Sequence, residues 1–279
     1  MSATRTEGRV GETLREWRRR RRRSQMDLAL DAGISTRHLS FVETGRSRPS
    51  AALILRLAEQ LDVPLRDRNG MLLAAGYAPV YGEREYDDPE LAPVRDAIAR
   101  VLAGHEPYPA VAVDRQWEVV AMNAAIGVLI GEAAPELLEP PVNALRLALH
   151  PEGMAPRVLN LAEWRTHLLE RLDRQIAATA DPGLRTLREE LLSYPAPEDE
   201  HAGPADDIVT PLRLRVPDGG ELAFISTIAT FGTASDITVS GLAVESFFPA
   251  DATTAERLRY SSPGTPKLGA ASGSSARTT

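Results

Sequence analysis

Apolar residues recur at helical spacing through the first quarter of the chain. Val10, Leu14 and Trp17 lie four and three residues apart and mark one face of a helix. Leu28, Ala29 and Ala32 mark a second helix, which Gly33 ends. Ser35 is a good N-cap for a third, carrying Leu39 and Val42 and ended by Gly45. Ser50 caps a fourth with Leu53, Leu57 and Leu61 inward, and Pro64 opens a fifth that runs to about Gly76. A polar, charge-rich linker spans 77–88. Asp88-Pro89 then pairs a cap with a proline at the first helical position, so a helix starts there and runs to about Gly104.

Beyond that helix the period changes. Ala110 to Val113 and Trp117 to Ala121 are short apolar runs separated by Asp114-Arg115-Gln116, the pattern of a hairpin. Asn123 reads as a cap, and a short helix is expected near Asn143 to Leu149. Leu161, Trp164, Leu168, Leu172 and Ile176 share one face of a long helix, and Asn160 with Glu163 resembles a capping box at its start. Asp181-Pro182 opens one more helix, with Leu184, Leu187 and Leu191 inward. Asp206 to Val216, Glu221 to Phe231 and Asp236 to Phe247 read as three strands rich in Ile, Val, Thr and Phe. Two strands, a helical middle and three strands predict an α+β domain with a five-stranded antiparallel sheet over 89–260, behind an all-α domain at 1–76. Residues 261–279 are rich in Ser, Gly, Ala and Thr and predict a disordered tail.

Length and charge sharpen this division. A chain of 279 residues with 43% hydrophobic content has room for two domains with cores of their own. Residues 1–62 hold 13 basic against 8 acidic groups, whereas the rest of the chain is strongly acidic and the whole carries −7. A basic head on an acidic body points to a polyanionic partner for the head alone. The absence of cysteine excludes disulfides, thiolate metal sites and a cysteine nucleophile. The N-terminus lacks the apolar core of a signal peptide, and no apolar run reaches the roughly 18–20 residues needed to span a bilayer. A cytoplasmic protein with no membrane partner is expected.

Residues 25–45 carry the most specific spacing. Ala29 is small where a second helix must cross, Gly33 can take a positive φ in the turn, and Ile34, Leu39 and Val42 lock the following helix to the bundle. Thr36, Arg37, His38, Ser40 and Phe41 are left facing away from that core. The run SQMDLALDAGISTRHLSFVETGRSRPS resembles the XRE family of phage-repressor-like DNA-binding domains, over about residues 9–63. The resemblance implies a double-stranded DNA partner, with the third helix in the major groove and base contacts from Ser35, Thr36, Arg37 and Phe41. Arg37 is the best direct reader, because a guanidinium bonds guanine O6 and N7 together. Gln25 would hold a phosphate at a helix N-terminus. Arg46 and Arg48 would grip the backbone. The six arginines Arg18 to Arg23 read equally as a solvated helix end or as phosphate contacts.

The remainder resembles the MmyB-like regulators, in LLAAGYAPVY (72–81), HEPYPAVAVDRQWEVVAMN (105–123), LRLALHPEGMAPRVLN (145–160) and ESFFPAD (245–251). That resemblance implies a PAS-like ligand-binding domain, a curved sheet with helices over one face, and for this family a fatty-acid-like ligand has been proposed. The space between sheet and helices is a natural apolar pocket. Val111, Trp117, Val119, Phe224, Ile228, Ile237 and Val239 are its candidate lining, although ordinary core is the better reading of any one of them taken singly. Arg146 and His150, four apart, would hold a carboxylate head group, or are a surface pair and a helix end. The candidate ligand-binding set is therefore Trp117, Arg146, His150, Phe224 and Ile228. The five histidines show no metal-ligand spacing, no glycine-rich phosphate loop follows a strand, and no nucleophile elbow occurs. The expectation is a homodimeric DNA-binding regulator with no cofactor, metal or catalytic site. Its body either senses a small apolar ligand or docks a protein such as RNA polymerase.

Overall fold

The computed structural model describes residues 3–195 and 209–260. The tail expected to be disordered, and the start of the strand expected from Asp206, lie outside the described residues. Five helices form the head as the apolar spacing predicts: α1 (Ala3–Arg20), α2 (Gln25–Asp31), α3 (Thr36–Glu43), α4 (Ala51–Gln60) and α5 (Leu65–Ala74). Each expected serine cap is made. Ser24, Ser35 and Ser50 accept from the backbone N–H groups of Asp27, His38 and Leu53. Gly33 turns the chain at φ +64° and Gly45 at φ +71°, where a side chain would be strained. Leu14, Leu28, Leu39, Val42, Ile54, Leu57 and Leu61 are fully buried in one core.

Two features of the head are not visible in its apolar pattern. Gly11 lies where α1 touches α3, and a Cβ there would sit 2.3 Å from the Val42 carbonyl oxygen. Beside that contact, the Arg18 guanidinium donates twice to the Glu43 carboxylate, at 2.6 and 2.8 Å, and once to the Arg23 carbonyl at 2.9 Å. Gln25 Nε2 donates to the same carboxylate at 2.7 Å. Burial pushes the Glu43 carboxyl up, but hydrogen bonds from Arg18 and Gln25 and the charges of Arg18 and Arg15 more than offset it. The group therefore titrates below the usual glutamate range.

The rest of the chain contains α6 (Ala92–Gly104), β1 (Ala110–Val113), β2 (Val119–Met122), α7 (Gly127–Ile130), α8 (Ala144–Leu149), α9 (Leu161–Thr179), α10 (Pro182–Ser193), β3 (Leu212–Arg215), β4 (Glu221–Thr230), α11 (Ile237–Ser240), β5 (Ala243–Pro249) and α12 (Ala252–Tyr260), all but α11 belonging to the body. The five strands form one antiparallel sheet in the order β2-β1-β5-β4-β3. This is the five-stranded, helix-covered arrangement expected of a PAS-like domain. Alternation decides what each face meets. Val111, Val113, Leu212, Leu214, Leu222, Phe224 and Phe247 share a core with Trp164, Leu168 and Leu172 of α9. Ala110, Ala112 and Val244 face the other way and pack with Ile98 and Leu102 of α6. Small alanines on that side of β1 let α6 approach closely.

Several boundaries differ from the sequence reading. The last strand starts at Ala243 rather than Asp236. Residues 236–240 form a turn of helix instead, with Asp236 Oδ1 accepting from the Thr238 and Val239 N–H groups. This segment, Thr233–Ser240, belongs to the same compact unit as residues 1–85. Within that unit the Ile237 N–H donates to the Gly82 carbonyl at 2.8 Å, and Arg84 Nη1 pairs with Asp236 Oδ2 at 2.6 Å. Ile237 and Val239 are thus buried in the head unit and not on the sheet. The capping box at Asn160 does not form: its Oδ1 accepts from the Arg213 N–H at 3.1 Å and its Nδ2 donates to the Pro211 carbonyl at 2.8 Å, tying α9 to β3. Asn123 likewise makes no cap and instead bonds Ala110, Leu102 and Tyr108.

Glu43→Gln should destabilise the protein by about 3–5 kcal/mol, because it strands the buried Arg18 charge. Gly11→Ala should cost about 1–3 kcal/mol by forcing α1 off α3. Denaturant unfolding of the full chain measures both, and a loss below about 1 kcal/mol for Glu43→Gln would show that the pair does not hold α3.

Candidate functional site

The third helix of the head presents the predicted reading surface. Leu39 and Val42 face inward with no exposure, and Thr36 and Arg37 are exposed on the opposite side. His38, Ser40 and Phe41 are half-buried along the flanks. The Arg37 guanidinium sits 5.3 Å from the Phe41 ring centroid, one turn away, so Phe41 supports the guanidinium as well as offering an apolar edge. Ser35 is occupied as the helix cap.

The other predicted phosphate contacts divide into those left outward and those used within the fold. Among the described residues, the Arg46 side chain is exposed with no protein partner. Arg48 instead donates to the Ala75 carbonyl at 2.9 Å and lies 5.5 Å from the Tyr77 ring, fastening the end of α5. Gln25 commits its amide N–H to Glu43, and Asp27 adds negative charge to the first turn of the same helix. Within the arginine run, Arg18 is bound to Glu43, Arg21 to the Leu61 and Asp62 carbonyls, and Arg23 to Asp31. Arg19, Arg20 and Arg22 are exposed. Arg15, which the sequence reading passed over, is exposed beside Gln25, Ser40 and Thr44 in a polar hollow of about 430 Å³. No contrast in its local sequence distinguishes it from its neighbours.

The body holds an apolar cavity of about 70 Å³ between the sheet and its helices. Val111 and Phe247 form its floor; Leu145, Leu147, Trp164 and Leu168 come from α8 and α9. An apolar cavity about twice this size can hold benzene, so a molecule even of that size enters here only by displacing side chains. Met122 and Met154 also line it and are the most adaptable of its walls. Trp117 is the one residue of the candidate ligand set that lines this cavity. Its backbone is at φ +68°, an uncommon conformation for a large residue, held by Asp114 Oδ1 accepting from the Gln116 and Glu118 N–H groups. Its indole N–H donates to Gln175 Oε1 at 2.8 Å, and Arg171 lies 4.2 Å from its ring centroid.

The other four candidates fall elsewhere. Phe224 is fully buried behind Phe247, 6.4 Å away edge to face, and Ile228 is 44% exposed on β4. Arg146 donates twice to Glu190, at 2.6 and 2.9 Å, and His150 packs edge-on against Tyr194, its ring centroid 5.0 Å away. These contacts fasten α8 to α10 and its C-terminal end, so the surface-pair reading of Arg146 and His150 is the one the geometry matches. Burial and the Glu190 hydrogen bond push the Tyr194 hydroxyl up to about 12.

Against this geometry the comparisons fall into place. Residues 94–260 match the MmyB-like transcription regulator ligand binding domain. The chain belongs to that family. Residues 14–67 match a helix-turn-helix family, so this MmyB-like chain joins a helix-turn-helix domain to a ligand-binding domain. No curated protein matches the chain. A solved structure described as that of an RNA-binding light-oxygen-voltage receptor is similar over 92% of this chain and 63% of its own, at 13% identity and a TM-score of 0.26. That likeness is too weak to bear on function. No described helix of the regulator is long and apolar enough to cross a membrane.

His167 stacks on Trp164 at 5.4 Å. Burial, then the charges of Arg171 and Arg174, lower its pKa below 6.5, with Glu245 and Glu170 opposing. The unfolded chain therefore takes up this proton first, and stability falls as pH drops through 6.5 towards the folded-state value. The thermal midpoint of His167→Gln should decline less between pH 7 and 5 than that of the parent protein. Parallel curves would contradict the shift.

Proposed function

We propose that the protein is a sequence-specific regulator that binds DNA as a homodimer and responds to a small apolar molecule in its body. The observation that carries sequence reading is Arg37, an exposed guanidinium over Phe41 on a helix whose opposite face is locked into the core. An outward guanidinium on a helix fixed from behind supports direct readout of guanine. Thr36 and the outward arginines Arg15, Arg19, Arg22 and Arg46 supply hydrogen bonding and phosphate attraction around it.

A single head covers limited DNA surface, so two heads on half-sites about one helical turn apart would supply the affinity a regulator needs. A ligand that binds one arrangement of the dimer better than another would shift the population of DNA-competent molecules. The apolar cavity between sheet and helices supports this sensing role. Its lining includes a single ionisable residue, Glu245, which favours a sensor over an enzyme.

Arg37→Ala should weaken binding to a selected operator by about 1–3 kcal/mol and relax preference at one base pair, while random duplex binding changes little. Competition binding at fixed salt reads both, and equal loss on operator and random DNA would remove Arg37 from its assigned role. Mass spectrometry of an organic extract of the purified protein tests the sensing role. A protein-docking body would yield no bound small molecule.

A further inference from the structure

The sheet of the body is met by other backbone at both of its terminal strands and left open along half of β4. The outer side of β2 is met by residues 142–143, through the Glu118–Asn143 bridge and the Val119 N–H donating to the Val142 carbonyl. The outer side of β3 is met by residues 158–159, through the Val158–Leu214 bridge and the Leu159 N–H donating to the Arg213 carbonyl. β4 pairs with β5 along 224–230 but with β3 only along 221–224. Among the described residues, the second edge of 225–230 has no backbone partner.

The run on this edge, Ile-Ser-Thr-Ile-Ala-Thr, has no charge, proline or glycine. Edges that stay unpaired are normally blunted by such residues. Here the charges sit on the paired stretch instead, as Arg213, Arg215 and Glu221. Residues 227–230 are exposed, Ile228 by 44%, and Phe248 of β5, opposite Ile225, is 43% exposed on the other face. The residues before β3 do not extend it along this edge. The register would set Pro211, Thr210 and Val209 opposite Ile225, Ser226 and Thr227, yet Pro211 has no N–H and none of the three joins the ladder. The Pro211 carbonyl is taken by Asn160.

We infer that the open edge of β4 is the homodimer contact, pairing antiparallel with the same edge of a second copy about a two-fold axis normal to the sheet at Ile228. The inference rests on the proposed homodimer and names its surface. A two-fold contact uses one patch twice, so the patch must suit itself, and an uncharged edge does. An axis normal to the sheet keeps each face on its own side, so only residues of like parity meet and the axis passes through a residue. At Ile228 the pairs are Ile228 with Ile228, Thr227 with Ala229 and Ser226 with Thr230, all within the open stretch. This register covers the large apolar side chain exposed on β4 with its own copy, and the two sheets run on as one.

Sedimentation velocity over a concentration range and oxidative cross-linking of the full chain test this. The parent should dimerise. Ile228→Lys sets two like charges face to face at an exposed position, and should raise the dimer Kd at least about tenfold with the far-UV spectrum unchanged. Because the chain has no cysteine, single cysteine variants report position directly. Ile228→Cys should cross-link two copies under mild oxidation, whereas Thr230→Cys should not, since its copies would lie about 14 Å apart along the strands. An unchanged Kd in Ile228→Lys, or cross-linking at Thr230→Cys as readily as at Ile228→Cys, would overturn the inference and leave the homodimer standing. So would amides of 225–230 as protected from hydrogen exchange in the Ile228→Lys monomer as in the parent dimer, because the chain itself would then cover the edge. A parent that stays monomeric would overturn the homodimer and the inference together.

Discussion

Burial of the Arg18 guanidinium against the Glu43 carboxylate joins α1 to α3, and Gln25 brings α2 to the same carboxylate. A buried pair of this kind is poor at adding stability over an apolar replacement, but it is intolerant of misalignment, since either partner alone is an uncompensated charge. The geometry of two parallel hydrogen bonds fixes the rotation of α3 about its axis as well as its position. Arg37 and Phe41 lie on that helix, and where their side chains point is set by this rotation. Gly11 serves the same end by letting α1 approach the backbone of α3 at the Val42 carbonyl. The reading surface is therefore held from behind by groups that are largely buried.

In the body, the sheet separates two apolar regions by simple alternation. One face of β1 offers Val111 and Val113 to the large core, the other offers Ala110 and Ala112 to α6. The cavity lies on the large-core side, where α8 and α9 do not fully close against the strands. The residues around it come from distant parts of the chain: Trp117 before β2, Trp164 on α9 and Glu245 on β5, with Arg171 of α9 paired to Glu245 behind it. Trp117 is held in a left-handed backbone conformation by the Asp114 turn, which suggests that its indole position is worth some local strain.

The residues between β4 and β5 add a further dependence. Thr233–Ser240 belong to the head unit by their contacts, although the strands on either side belong to the body. Asp236 is central to this: one carboxylate caps its own helical turn and pairs with Arg84. A stretch rich in Ile, Thr and Val would otherwise extend the strand.

How much was legible from the residues follows from the range of the interactions involved. The five head helices, their serine caps and the two glycine turns are decided within four or five residues, so periodicity and turn chemistry located them. The amphipathic faces of α9 and α10 were legible for the same reason, as was the outward face of α3. The cavity was legible only in part: Val111, Trp117 and Val119 lie on its wall, whereas Arg146, His150, Phe224 and Ile228 do not. Arg146 is taken up by Glu190, 44 residues away in the chain, and Arg48 by a carbonyl 27 residues away. Asn160 and Asn123 have cap-like sequence contexts, yet both spend their amides on strands and loops far along the chain. Local sequence determines which groups a segment can offer. Which of those groups find partners is decided only when distant elements meet, because the donor and its acceptor are then placed by different parts of the fold.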